Sequence, residues 1–262
     1  MKEGALKDKT SWWGEIRENE LNTALDVFQE QKELEILEIG GRDGFQANII
    51  SKKGHNVTSI DINPVFPQFY PVQNGTINQL NFKENSFDII YSSNMLQEIQ
   101  HIEESFIEMK RVLKKDGIII HIVPSSWWSL ITNFWHYCLI PKYLIKSNKF
   151  KKIFNSKKVT NIDIQNNKQE NKNSKSTTNL KKLFFHPLGT NTSFIHEIFY
   201  FSKFYWKKLF KKNGFNMINE KNCPYFYSAY SVFDFKFLNF RKFLASLGIT
   251  SCYCFVLKNS DV

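Results

Sequence analysis

The chain opens without an apolar run. Met1 to Thr10 is polar and charged, unlike a secretory leader, and the expected location is the cytoplasm. In that setting the N-x-S/T matches at Asn56, Asn74 and Asn191 carry no meaning. Cysteine is scarce: Cys138, Cys223, Cys252 and Cys254 form no C-x-x-C and no paired spacing. No metal centre is therefore expected, and buried thiols are the plain reading. Cys252 and Cys254 are two apart on an expected strand, so they share a face. No stretch can span a bilayer. The most apolar, Trp127 to Ile145, is too short and is interrupted by Asn133, His136 and Pro141.

An even spread of charge is also missing. Residues 142 to 182 hold twelve lysines against two acids, Asp163 and Glu170. The whole net charge of +10 therefore sits in that segment, and the remainder is balanced. Any partner inferred from basic character must meet that segment. The total of 262 residues suits one α/β domain with a sizeable core.

A dinucleotide fingerprint is absent as well. G-x-G-x-x-G counted from Gly40 places Arg42 and Phe45 where glycines are needed. What stands there is Glu38-Ile39-Gly40-Gly41-Arg42-Asp43-Gly44 after an apolar strand, then Val57-Thr58-Ser59-Ile60-Asp61. This reads as a strand, a glycine turn opening a helix, and a second strand ending in an acid. Glycine lets backbone approach a ligand closely. The helix would present its first N–H groups to that ligand, and Asp61 would accept from the two hydroxyls of a ribose. An acid at Glu38 would repel a phosphate and is tolerable beside a cation.

The turn fits E-x-G-x-G-x-G, with Arg42 at the middle glycine. It resembles motif I of the class I S-adenosylmethionine methyltransferases. Asn81-Phe82-Lys83-Glu84-Asn85-Ser86-Phe87-Asp88-Ile89-Ile90-Tyr91 resembles the segment leading into strand four of that family. Phe106 to Gly117 resembles its E-x-x-R-V-L-K-P-G-G turn before strand five. In this order, over residues 34 to 124, the likeness is to the type 11 methyltransferases. Residues 184 to 257 show a looser likeness to a glycan-associated bacterial branch, through His196-Glu197-Ile198-Phe199-Tyr200-Phe201-Ser202 and Trp206-Lys207-Lys208-Leu209-Phe210. The resemblance implies a Rossmann-like α/β fold with helices on both faces of a mostly parallel seven-stranded sheet whose last strand is antiparallel. It also implies S-adenosylmethionine as cofactor.

The periodicity agrees. Helices are expected over 11–31, with Ser11 as N-cap, over 44–53 and over 103–114. Another should follow Ser202, with Gly214 past its end. Strands are expected at 34–40, 56–61, 72–78, 86–92, 117–123, 215–219 and 249–257. One methyltransferase domain then covers 1–262. Residues 125–183 form an insertion, with an aromatic lid helix at 126–150 and a Lys/Asn-rich flexible loop at 155–182. Two readings of the aromatic part stay open. It could be a lid packed over the acceptor pocket. It could also be an interfacial helix that, with its lysine tail, brings 127–182 to anionic lipid on the inner face of the membrane.

The resemblance assigns cofactor contacts to Glu38, Gly40, Gly41, Asp43, Gly44, Asp61, Ile62, Ile77, Ser93 and Asn94. Glu38 either orients the methionine amine or hydrogen-bonds the glycine turn. Arg42 should point away or pair with Asp43, which could itself meet the amine. Thr76 stands where the family has an acid for the adenine amino group, so adenine would rest on backbone and apolar contact. Methyl transfer to a hydroxyl needs a proton acceptor. Candidates are His101, His121, His186, His196 and Glu197, with His186 and His196 ranked first because they flank a loop after the insertion. The expected acceptor is a small molecule or glycan, methylated on oxygen. Two rivals are a methyltransferase-like binding protein without turnover and an RNA methyltransferase. The second is disfavoured because Ser93-Asn94-Met95-Leu96 replaces N-P-P-Y after strand four and no RNA-binding module follows.

Overall fold

The computed structural model describes residues 11–28, 33–146 and 193–260. The expected loop at 155–182, His186, and the far ends of the helices expected at 11–31 and 126–150 lie outside those residues.

Helix α1 (Trp12–Leu25) begins at Ser11, whose hydroxyl accepts from the Gly14 N–H at 3.0 Å. It stops at Leu25, short of the expected end. Then come β1 (Glu35–Ile39), α2 (Phe45–Ser51), β2 (Asn56–Asp61), β3 (Val72–Asn74), β4 (Phe87–Ser93), α3 (Ile102–Val112), β5 (Leu113–Pro124) and α4 (Ser126–Lys146). After the undescribed segment come α5 (Phe194–Tyr200), α6 (Lys203–Lys212), β6 (Phe215–Asn222), α7 (Leu238–Ser246) and β7 (Cys252–Asn259). The seven strands lie in the order β3-β2-β1-β4-β5-β7-β6. β7 runs antiparallel to both neighbours and the other pairings are parallel.

Both sheet faces are buried, as continuous apolar strands require. Alternate residues of β5 divide between them. Ile119 and Val123 join Phe106, Met109 and Phe210 under α3 and α6, whereas Ile120 and Ile122 join Ile16, Leu21, Cys252 and Cys254 under α1. Cys223 is buried with them, but Cys138 is exposed, against the expectation of four buried thiols.

Two features place the site. The β3 strand ends at Asn74 rather than near 78, because the chain turns at Gly75 and forms an isolated bridge between Thr76 and Gln79. The segment after it is pinned to α3: Arg111 donates to the carbonyls of Leu80 and Phe82 at 2.7 Å, and Glu108 accepts from the Leu80 N–H at 2.8 Å. Residues 75–78 are thus held at the carboxyl edge of the sheet, beside the tips of β1 and β2.

Candidate functional site

The glycine turn is closed by its own backbone. The N–H groups of Gly40 and Gly41 both reach the Ile60 carbonyl, at 2.9 and 3.0 Å, and Gly44 N–H reaches the Gly41 carbonyl at 2.7 Å. Asp61 accepts from the Arg42 N–H at 2.9 Å through one oxygen and from the Asn63 N–H at 2.8 Å through the other. Each carboxylate oxygen keeps lone-pair capacity for a further donor.

Two of the N–H groups expected to be free at the start of α2 are taken. Asp43 accepts from the Phe45 N–H at 3.2 Å, and Glu38 accepts from the Ala47 N–H and from the Ser59 hydroxyl at 2.5 Å. Two carboxylates therefore occupy the place where a phosphate would sit, which excludes a pyrophosphate cradle on this turn. Burial pushes the Glu38 carboxyl up to about 7, its bond from Ser59 opposing and the nearby Asp43 charge assisting. Burial also raises Asp43, opposed by its bond from Phe45 and by the charge of Arg42.

Each glycine of the turn has a different neighbour. A Cβ on Gly41 would lie 1.9 Å from the Ser59 hydroxyl, and one on Gly44 would lie 2.3 Å from the Tyr70 carbonyl. Those two positions serve internal packing. Gly40, at φ +82°, would meet only the Met95 side chain, and it borders a cavity of about 360 Å³. Arg42 has φ +54°, left-handed backbone on a residue with a side chain, which costs about 1 kcal/mol. Its N–H bond to Asp61 shows what fixes that conformation.

The cavity brings together Gly40, Asp61, Ile62 and Ile77 from the expected set, with Thr76 beside them, but not Glu38, Gly41, Asp43, Gly44, Ser93 or Asn94. It adds Asn78, Met95, Glu98 and Gln100, which the sequence reading missed, and His101, which that reading names only as a candidate base. The residues suit a nucleoside. Asp61 stands at a strand tip with acceptor capacity left. Ile62, 67% exposed, and Ile77 offer apolar faces to a base. Asp43 supplies a further sign: its Oδ2 is buried and accepts no hydrogen bond among the described residues. A buried carboxylate oxygen in that state calls for a donor, and an amino-acid ammonium is one.

Ser93 and Asn94, at the tip of β4, are tied to α1. Asn94 donates to Glu20 at 3.2 Å and Ser93 to the same oxygen at 3.4 Å. Glu20 is 1% exposed, bridges to Arg17 at 2.6 Å and accepts from the Tyr227 hydroxyl at 2.6 Å. Burial works against the Arg17 charge, but Glu20 outweighs it and holds the guanidinium above the ordinary arginine value. No sequence signal marked this network, because Arg17 and Glu20 look like any polar pair on an amphipathic helix.

The base candidates separate clearly. His121 is fully buried, paired with Ser92 at 2.7 Å and stacked on Phe210. Burial pushes its pKa down to about 3, so it is a neutral core residue. Glu197 is fully buried on the inner side of α5. His101 lines the first cavity. His196 is exposed on α5 and lines a second cavity of about 280 Å³ with Gln97, Tyr200, Tyr205 and Trp206. The two cavities share Ile99 and Gln100.

Residues 37–121 match the type 11 family model, described as a methyltransferase domain. Among curated proteins none matches the chain. Several solved structures share the fold. One is a protein assigned as a methyltransferase, in complex with the Trm112 activator of Haloferax volcanii, with TM-score 0.52, 10% identity, and 95% of this chain and 92% of that one covered. A second is a protein from Listeria monocytogenes assigned as an S-adenosylmethionine-dependent methyltransferase, with TM-score 0.50, 10% identity, and coverage of 94% and 100%. A third is the [4+2]-cyclase SpnF, with TM-score 0.52, 10% identity, and coverage of 98% and 86%. At such identity these likenesses show the fold alone, and the presence of a cyclase shows that one fold carries several reactions. The domain match over residues 37–121, together with the shared fold, supports a class I methyltransferase that uses S-adenosylmethionine.

Proposed function

We propose that the chain transfers a methyl group to a hydroxyl of a small polar acceptor, of sugar or glycan type, held in the cavity that adjoins the cofactor site. The observation that carries this is the shared wall. Ile99 and Gln100 line both cavities, so an acceptor in the second lies next to a cofactor in the first. Tyr200, Tyr205 and Trp206 offer aromatic faces to the C–H face of a sugar ring. Gln97, Gln100 and His196 offer hydrogen bonds to its hydroxyls.

In the cofactor cavity, Asp61 would hold the ribose hydroxyls and Ile62 and Ile77 the base. Asp43, behind the cavity wall with a buried oxygen unpaired among the described residues, would draw the methionine ammonium. S-adenosylmethionine supplies a methyl already activated on a sulfonium. The chain's own task is to align the acceptor oxygen and exclude water. His196 takes the hydroxyl proton. Glu38 and Gly41 support the turn from behind, through Ser59 and the first turn of α2.

The test is incubation with methyl-labelled S-adenosylmethionine and a panel of methyl glycosides and oligosaccharides, followed by identification of the methylated atom. A base-stable methyl ether on a sugar, lost with His196→Ala while S-adenosylhomocysteine still binds, is the expected result. Label appearing only on nitrogen of RNA or protein would overturn the reading.

A further inference from the structure

A third cavity, of about 310 Å³, shares no lining residue with the acceptor cavity and lies between α4, residues 226–237 and α7. Ile131 and Trp135 of α4 wall one side, and Phe226, Phe237, Phe240 and Leu244 the other. Its charged and phenolic groups are turned away to partners. Arg241 donates to the carbonyls of Phe226 and Asp234, both at 2.6 Å, and the Tyr227 hydroxyl is held by Glu20. Apart from the hydroxyls of Ser228 and Ser231, what remains inside is hydrocarbon.

The outer surface of this region is apolar too. On α7, Phe240, Phe243 and Leu247 fall at i, i+3 and i+7 and are 60%, 57% and 62% exposed, while Leu244 and Ala245 face inward. A helix apolar on both sides has both sides covered in its working state. Phe237 caps that helix at φ +58° with its ring 64% exposed. Left-handed backbone on a bulky residue is costly and points to a function for its placement. The cations decide what kind of surface covers this face. Exposed Lys236 and Lys242 alternate in sequence with the phenylalanines, and residues 233–247 hold three basic residues against one acid, Asp234. α4 itself continues into the lysine-rich sequence of 142–182. The buried centres of protein interfaces are depleted in lysine, whereas aromatic anchors interleaved with lysine suit the headgroup region of an anionic bilayer.

We propose that residues 233–247, with the outer face of α4, dock on an anionic lipid bilayer, and that the cavity behind them takes one acyl chain of a lipid. Phe240, Phe243 and Leu247 enter the headgroup boundary, Lys236 and Lys242 meet lipid phosphates, and Trp135 lies against the captured chain. The inference is independent of the sugar reading, since it concerns a different cavity and a property measured without methyl transfer.

Flotation of the full chain with phosphatidylglycerol/phosphatidylcholine vesicles tests the docking, and vesicles with brominated acyl chains test the cavity. The wild type is expected to float and to lose tryptophan fluorescence to the bromine, and Trp135→Phe to remove a large part of that quenching. The double variant Phe240→Asp/Phe243→Asp, altered only at exposed positions, is expected to partition at least tenfold less while binding S-adenosylhomocysteine as the wild type does. The proposal is overturned by any of three results. The wild type fails to float. The double variant floats equally well, which would make the attraction one of lysine charge alone. Or the wild type is a dimer that the double variant dissolves, with no vesicle binding, which would make the face a contact between copies.

Discussion

The sheet edge over β1 and β2 is organised by backbone hydrogen bonds, whereas the edge beyond β5 and β7 is organised by aromatic rings. In the first region Gly40, Gly41, Arg42 and Gly44 all donate within the turn or to the strand tip beside it. The carboxylates of Glu38 and Asp43 consume what α2 would otherwise present. In the second, Trp135 meets Phe233 edge-on at 5.4 Å, Phe233 meets Phe237 at 5.7 Å, and Tyr200 meets Tyr205 at 4.6 Å. The first arrangement tolerates few residue types at each position. The second asks only for large apolar groups and tolerates many. On the proposed reading, a cofactor common to a large family is read by the exacting region, and an acceptor particular to this chain by the permissive one.

The comparison is broken most severely at Gly44. Its left-handed backbone and the Tyr70 carbonyl leave no room for a side chain, so Gly44→Val is expected to cost about 3 kcal/mol or more of folding stability. Denaturant unfolding measures this, and Phe243→Val in the aromatic region should stay within about 0.5 kcal/mol, as exposed substitutions do. Next comes His196→Ala, expected to lower kcat roughly a hundredfold, about 2.7 kcal/mol, without weakening S-adenosylhomocysteine binding. Single-turnover assays beside calorimetry separate the two.

A smaller effect concerns pH. Glu38 sits at about 7 against an ordinary 4.5, so folding favours its protonated form. The stability this contributes is complete below about pH 4.5 and is lost as pH rises through about 7. Glu38→Gln cannot ionise. Relative to wild type it should gain on the order of 2 kcal/mol between pH 5 and pH 8. Urea midpoints at the two pH values check this, and a difference that stays flat would remove the buried-carboxyl account of the turn.

The contrast also explains what could be read from the chain alone. The boundaries of β1, β2 and β4 followed from apolar runs bounded by turn residues, and the Asp61 position from its place at a strand tip. The β5 strand began early, at Leu113, because its first residue pairs with Phe87 before the β-bulge, and a bulge leaves no periodic trace. The α5 and α7 helices went unread. α5 has seven residues and α7 nine, too few to show a clear period. The Arg17–Glu20–Tyr227 network spans more than 200 positions of sequence, and such a contact becomes visible only once α1 has packed on the sheet. His121 illustrates the reverse case: a plausible base in sequence, fixed by burial as neutral core.

The most direct test of the central claim, that the β1–β2 edge is the cofactor site, is calorimetric titration with S-adenosylhomocysteine of the wild type beside Asp61→Ala. The account predicts binding to the wild type and a loss of at least tenfold in the variant, about 1.4 kcal/mol, with Phe240→Asp/Phe243→Asp unaffected. Equal affinity in wild type and Asp61→Ala would contradict it, and would place the cofactor somewhere other than the tips of β1 and β2.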